Sequence, residues 1–256
     1  MLEYIDSHAH YDDEAFDSDR DVLLQALHNG GVRNIVNIGC TLERSQYSVD
    51  FADKYPFMYA AVGIHPDDAM DTPDGYLGKL EYWTANPKVV AIGEIGLDYH
   101  TEGYDRDLQI RFFNEQLDLA ERTGLPVVIH SRDATGDTMD ILRARGKVRG
   151  VMHCFSGSAE TAEQVLDLGM NISFTGVLTF KNARRALEAL EVVPLDRLML
   201  ETDCPYMAPE PNRGKRCDSS MIKYVIEKIA AVKGLTPELV AAETMKNTLA
   251  LFDRIK

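Results

Sequence analysis

The feature that most constrains this 256-residue chain is a cadence of eight short β-branched runs, each followed by a longer stretch with apolar residues at helical spacing. Strands are predicted at Glu3–Ser7, Arg33–Ile38, Phe57–Gly63, Val89–Gly93, Pro126–Ile129, Arg149–Met152, Asn171–Phe174 and Arg197–Leu200. Runs such as VVAIG, PVVI and LMLE are apolar at consecutive positions, as suits strands covered on both faces in a parallel sheet. Between the runs, Asp17–Asn29 places Val22, Leu23, Ala26 and Leu27 on one stripe and stops at Gly30, and Asp105–Thr123 is patterned likewise. Thr236-Pro237-Glu238 opens a last helix with a capping hydroxyl, a proline at the first helical position and an acid in the first turn. Eight such units in a chain of this length predict an α/β fold, a (β/α)8 TIM barrel. A doubly wound sheet would carry a Gly-rich phosphate turn after its first strand, and neither GxGxxG nor GxxxxGK[ST] is present. With no linker-like tract or strong repeat, residues 1–256 read as one domain.

A barrel of this kind brings the carboxyl ends of its strands to one mouth, where residues distant in sequence meet. His8, His10, His65, His130 and His153 fall at such ends, whereas His28 and His100 do not; Glu94 closes strand four and Asp203 strand eight. In Asp6-x-His8-x-His10 the side chains project from one side of a strand, so two imidazoles can grip one ion, with Asp6 behind them as a hydrogen-bond acceptor. Such a pair also occurs in ordinary cores, and the other strand ends add the weight. His130 and His153 offer nitrogen, and Glu94 and Asp203 offer oxygen. Six groups crowd one ion but suit two sharing Glu94, about 3.5–4 Å apart, a device for hydrolysing phosphate esters with a metal-activated water. Asp203 is the candidate general base, and Glu201, two residues earlier on the same side, supports the site. Cys154 and Cys204 follow ligands directly; strand alternation turns both toward the core as small fillers.

Against 41 Asp+Glu the chain carries 27 Lys+Arg, a formal charge of −14 that argues against a duplex wrapped on a basic face. Two divalent ions would place about +4 at the mouth and reverse that field locally. The densest cationic cluster, Asn212-Arg213-Gly214-Lys215-Arg216, follows strand eight, so Arg213, Lys215 and Arg216 are candidate phosphate ligands on a loop folded over the mouth. His65 in GIHP and Arg132 beyond His130 are further candidate substrate contacts. Lys181 and Asn182 after strand seven are weaker ones. The four cysteines form no CxxC pair, and no stretch reads as a signal peptide or membrane span. These features predict a cytoplasmic monomer with no membrane partner.

The stretches DSHAHYD (6–12), VGIHP (62–66), AIGEIGLDY (91–99), LPVVIHSRDA (125–134), MHCFSGS (152–158), TFKNA (179–183), ETDCPYMAP (201–209) and NRGKR (212–216) together resemble the TatD family of metal-dependent deoxyribonucleases, a branch of the amidohydrolase-like barrels. Related barrels often bridge their metals with a modified lysine at strand four; Glu94 in that place points to the TatD branch. The resemblance implies one divalent ion on His8, His10, Glu94 and Asp203 and another on Glu94, His130 and His153. It also implies cleavage of DNA inward from an end, on a single strand or at an end, with Mg²⁺, Mn²⁺ or Zn²⁺. Asn212 and Cys217-Asp218 depart from the family pattern and bear on loop contacts, not on the metals. Two alternatives stay open: hydrolysis of another ester or amide, such as a D-aminoacyl-tRNA, and a non-catalytic metal-binding adaptor.

Overall fold

A computed structural model describes residues 2–256. Eight strands run parallel in chain order: β1 (Tyr4–Ala9), β2 (Val32–Ile38), β3 (Met58–Val62), β4 (Val89–Asp98), β5 (Val127–Arg132), β6 (Gly150–Met152), β7 (Asn171–Phe174) and β8 (Leu198–Leu200). The helices between and after them are α1 (Arg20–Asn29), α2 (Leu42–Lys54), α3 (Tyr76–Thr84), α4 (Arg106–Thr123), α5 (Thr135–Arg145), α6 (Ala159–Asp167), α7 (Arg184–Val192), α8 (Ile222–Lys233) and α9 (Pro237–Leu251). This is the (β/α)8 barrel that the cadence predicts. Its seam closes where β1 meets the chain leaving β8: Asp203 N donates to His8 O at 3.0 Å and His10 N to Cys204 O at 2.9 Å. The bonds that close the barrel therefore lie on the residues that carry the candidate ligands.

Burial follows the two-layer logic of the fold. One apolar cluster fills the space between strands and helices, with Leu24, Leu80, Phe113 and Leu142 contributed by helices. A second, including Val36, Tyr59, Val90, Val128 and Met199, is joined by Leu251, Phe252 and Ile255 from the end of the chain. Arg254 ties that end below β4 through Thr84 O, at 2.9 Å, and Val89 O, at 2.8 Å. The interior is thus sealed at the foot, and polar residues are left to the mouth.

Several predicted boundaries shift: β1 runs on to Ala9 instead of Ser7 and β5 to Arg132 instead of Ile129, the other strand ends, β4 apart, move by at most a residue, and two shifts have a local cause. Strand β4 continues through Asp98 instead of stopping at Gly93, because Ile95, Gly96, Leu97 and Asp98 stay in register with Ile129, His130, Ser131 and Arg132 of β5. Gly96 is what permits this: its φ of 146° suits glycine, and an added Cβ would overlap the His130 carbonyl. Helix α1 begins at Arg20 instead of Asp17, because Glu14–Phe16 forms a separate 3-10 turn capped by the Asp13 carboxylate. The last helix matches expectation, with Thr236 Oγ1 accepting from Leu239 N and Pro237 at its first position.

Candidate metal centre

Strand β1 delivers His8 and His10 to the mouth from one side, two residues apart. Their Nε2 atoms stand 3.1 Å from each other. Asp203 Oδ1 lies 3.6 Å from His8 Nε2 and 3.3 Å from His10 Nε2, and Glu94 Oε2 lies 3.4 and 4.0 Å from the same two atoms. An ion held tetrahedrally by nitrogen and oxygen at about 2.0–2.2 Å spaces its ligands about 3.3–3.6 Å apart; His8, His10 and Glu94 form a group close enough to hold one ion, and Asp203 Oδ1 lies beside both histidines. Glu94 turns its other oxygen the opposite way. Oε1 lies 2.7 Å from His153 Nε2 and 2.9 Å from His130 Nδ1, and these two nitrogens are 3.4 Å apart. One carboxylate thus faces two sets of ligand atoms, one oxygen to each.

For His10 and His130 the groups behind the rings settle which nitrogen faces the centre. His10 Nδ1 donates to Ile38 O at 3.1 Å, which leaves Nε2 with its lone pair inward. His130 Nε2 donates to Asp98 Oδ2 at 2.8 Å, which leaves Nδ1 inward. The buried Nδ1 atoms of His8 and His153 have no hydrogen-bond partner; the latter is 3.5 Å from Glu201 Oε1. Glu201, fully buried, accepts from Cys154 N at 2.5 Å and from Ser173 Oγ at 2.7 Å, which pins the chain just after His153. Asp6 accepts from His8 N, Thr202 N, Thr202 Oγ1 and Ser219 Oγ and so fastens β1 to the segment carrying Asp203; burial, against those hydrogen bonds, pushes its carboxyl up to about 7.

Carboxylates and imidazoles in the cluster favour one another's charged forms. Burial opposes ionisation of Glu94, yet His153 and His8 beside it and the hydrogen bonds from His130 and His153 hold its carboxyl well below the usual range. Asp203 is likewise held low, against burial, by His10 and His8. Burial and the neighbouring His153 push His8 down, whereas His153, despite burial, is raised well above its ordinary value by Glu94 and Glu201. Clustered imidazoles around shared carboxylates make a donor set of nitrogen and oxygen suited to divalent transition ions. Asp203 and Cys154 also hold left-handed backbone, φ 60° and 44°, a conformation that non-glycine residues adopt at a cost and that concentrates at functional sites.

The remaining candidates divide. His65 reaches the cluster, with Nε2 3.7 Å from Glu94 Oε1 and its ring 4.5 Å from that of His130. Arg132 is exposed and lines the same cavity, of about 710 Å³. The loop cations are partly engaged. Arg213 lies 3.8 Å over the Phe180 ring, and Lys215 Nζ donates to Asn212 at 3.2 Å. Arg216 forks onto Asp19 at 2.7 and 2.6 Å, donates to Ala15 O at 2.8 Å and lies over the Phe16 ring, so it braces the loop against the turn before α1. Lys181 and Asn182 are exposed.

One expectation fails. Cys204 is a buried filler, but Cys154 lines the cavity, its sulfur 3.4 Å from Met207 Sδ. Strand β6 ends at Met152, so the alternation that would have turned Cys154 inward has already stopped. Asp98 is the partner that the strand pattern missed; the spacing Glu94-x-x-x-Asp98 signals it only once β4 is known to run on. Cys40, 3.7 Å from Glu94 Oε2, is a second, and nothing in its surrounding sequence marks it.

The comparisons with known proteins agree with this geometry. The family model described as TatD related DNase matches residues 5–253. An uncharacterized metal-dependent hydrolase of Bacillus subtilis, YabD, is 42% identical over 249 residues, 96% of this chain and 98% of its own. A Cronobacter sakazakii protein named 3′-5′ ssDNA/RNA exonuclease TatD is 34% identical over 93% of each chain. The crystal structure of YjjV, a TatD homologue from Escherichia coli, superposes with a TM-score of 0.92 at 31% identity, covering 98% of both chains. With the ligand cluster at the strand ends and a family match along nearly its whole length, the chain belongs to the TatD related DNase family of metal-dependent hydrolases.

Proposed function

We propose that the protein is a divalent-metal-dependent exonuclease that hydrolyses phosphodiester bonds at an unpaired end of DNA. The observation that carries this reading is the division of Glu94 between two ligand sets, Oε2 toward His8 and His10 and Oε1 toward His130 and His153. His8, His10, Glu94 and Asp203 would hold one ion, and Glu94, His130 and His153 the other. Ions bound there, Mg²⁺, Mn²⁺ or Zn²⁺, would supply Lewis acidity toward the scissile phosphate and a nucleophilic water at neutral pH. The chain supplies the rest. Asp203 turns Oδ1 to the two histidines, leaving Oδ2 to take the proton of the attacking water as general base. Asp98 and Glu201 keep the imidazoles of His130 and His153 in place. Arg132, which lines the cavity, and Arg213 and Lys215 on the loop after β8 would pair with phosphate oxygens, His65 would flank the cluster on the β3 side, and Arg216 would hold the cationic loop in position.

A relative named as a single-stranded DNA and RNA exonuclease supports the choice of substrate. The formal charge of −14 supports the choice of mode: a few phosphates at a pocket, with shallow salt dependence, in a monomer acting in the cytoplasm. No helix among the described residues is long and apolar enough to cross a membrane. The test is turnover of single-stranded DNA labelled at either end by purified protein with defined metals. Shortening from one end only, abolished by chelator and restored by metal, is expected. Bound metal with no cleavage of DNA would overturn the reading.

A further inference from the structure

Gly39 and Cys40 carry the chain out of β2 at the mouth, and three backbone bonds hold them there. Gly39 N donates to Ala61 O at 2.9 Å, Glu94 N to Gly39 O at 3.0 Å and His65 N to Cys40 O at 2.7 Å. Cys40 is therefore positioned by the chain of β3 and β4 on either side. It lines the ligand cavity, and its sulfur lies 3.7 Å from Glu94 Oε2, the oxygen turned to His8 and His10. Cys40 also neighbours His10, which, despite burial, is raised well above its ordinary value by Cys40 and Asp203. The other three thiols point elsewhere. Cys154 Sγ is engaged with Met207 Sδ at 3.4 Å and Thr175 Oγ1 at 3.6 Å, Cys204 is fully buried, and Cys217 Sγ faces Asp218 O at 3.9 Å.

An ion bonded to sulfur at about 2.3 Å and to oxygen at about 2.0–2.2 Å, at a tetrahedral angle, sets those two atoms about 3.6 Å apart. The sulfur of Cys40 and Oε2 of Glu94 already have that spacing. With no ion bound the thiol keeps its proton, because burial pushes it up to about 11. A cation reverses the preference: the S–H bond gives way to a bond from sulfur to the ion, and the proton leaves to solvent. We infer that Cys40 is a thiolate ligand of the ion held by His8, His10, Glu94 and Asp203, an inference that rests on the metal centre proposed above. It decides a choice that the nitrogen and oxygen ligands leave open. Carboxylates suit Mg²⁺ and Mn²⁺ and imidazoles suit several transition ions, whereas a thiolate favours Zn²⁺ over the hard ions. The first ion is therefore Zn²⁺ in preference to Mg²⁺ or Mn²⁺.

Cobalt spectroscopy tests this without turnover. Protein stripped of metal and reloaded with Co²⁺ should absorb in the near ultraviolet, where a thiolate on Co²⁺ gives a charge-transfer band that imidazole and carboxylate do not. Cys40→Ser should lose the band while elemental analysis still finds cobalt on the remaining ligands. Cys154→Ser should keep it, and thermal unfolding confirms that both variants are folded. In competition with a chelator, the preference for Zn²⁺ over Mn²⁺ should fall by at least about tenfold in Cys40→Ser and hold in Cys154→Ser. Cobalt bound to the unaltered protein without the band, or a band that survives in Cys40→Ser, overturns the inference. Cleavage of end-labelled single-stranded DNA is read on the same samples. The band without cleavage defeats the nuclease reading alone, and cleavage by cobalt-loaded protein that shows no band defeats the thiolate alone.

Discussion

His8, Glu94 and Asp203 sit on or beside strands whose register holds them, and none is more than 8% exposed; Arg213, Lys215 and Arg216 lie on a loop at the same mouth, where the cations are engaged with their own chain. The first group is held by the sheet, by burial and by ion pairs within the cluster. The second is fixed by side-chain contacts that solvent and salt can weaken. Charge type alone does not tell a ligand from a brace. Arg216 has the best guanidinium geometry of the loop and directs it at Asp19 rather than into the cavity.

The contrast can be broken at its strong end first. Glu94→Gln takes a charge from both ligand sets, and we expect hydrolysis of end-labelled DNA to fall by about 10³-fold or more while metal bound per chain, read by elemental analysis, also falls. Retained metal and turnover would end the claim that Glu94 joins the two sets. Asp98→Asn and Glu201→Gln leave every ligand atom in place, so a loss of about 10–100-fold in metal affinity is expected from each, measured by competition with a chelator. No loss would mean that strand register alone positions the imidazoles.

At the loop, effects should be smaller and of different kinds. Lys215→Ala removes one cation facing solvent, and the slope of log affinity for single-stranded DNA against log salt should flatten by about 0.7. Arg216→Ala should change that slope less than Lys215→Ala does. Its effect belongs on stability instead, up to about 1 kcal/mol, or about 2–4 °C in Tm for a chain of this size. Scanning calorimetry of both variants separates the two roles, and an Arg216 variant with an unchanged Tm and a flattened slope would exchange them.

The rim supplies the smallest test. Burial, with Asp67 beside it, raises the Asp68 carboxyl to about 6. The folded chain therefore keeps a proton there that the unfolded chain, with its carboxyl near 3.9, has lost. The stabilisation is full below about pH 4 and is lost as pH rises through 6. Asp68→Asn should flatten the fall of Tm between pH 4 and pH 6, and parallel profiles for the two proteins would refute this.

How far the site could be read from sequence depends on where each residue lies relative to a strand. His8 and His10 alternate on β1, and His130 and His153 end apolar runs, so local pattern placed them. Asp98 was hidden because GEIGLDY carries two glycines that look like the end of a strand, whereas Gly93 lets β4 pass close to Val128 and Gly96 to the His130 carbonyl. Cys154 was misplaced because alternation holds only while the ladder lasts, and β6 stops at Met152. Cys40 follows β2 in a segment without periodicity, and only the approach of Glu94 gives it a place.

The sequence by itself determined the barrel, the mouth and the ligand types, because hydrophobic periodicity and strand ends are local properties that barrel closure converts into proximity. Only the tertiary structure decided which oxygen of Glu94 faces which histidines and which cations are engaged with their own chain. That Glu94 turns one oxygen to each pair of histidines, and that Arg216 is spent on Asp19 while Arg132 has no ion-pair partner among the described residues, depends on side chains brought together from distant strands and loops. Side-chain direction and partner choice are set by packing across the barrel, and no spacing along one segment encodes them.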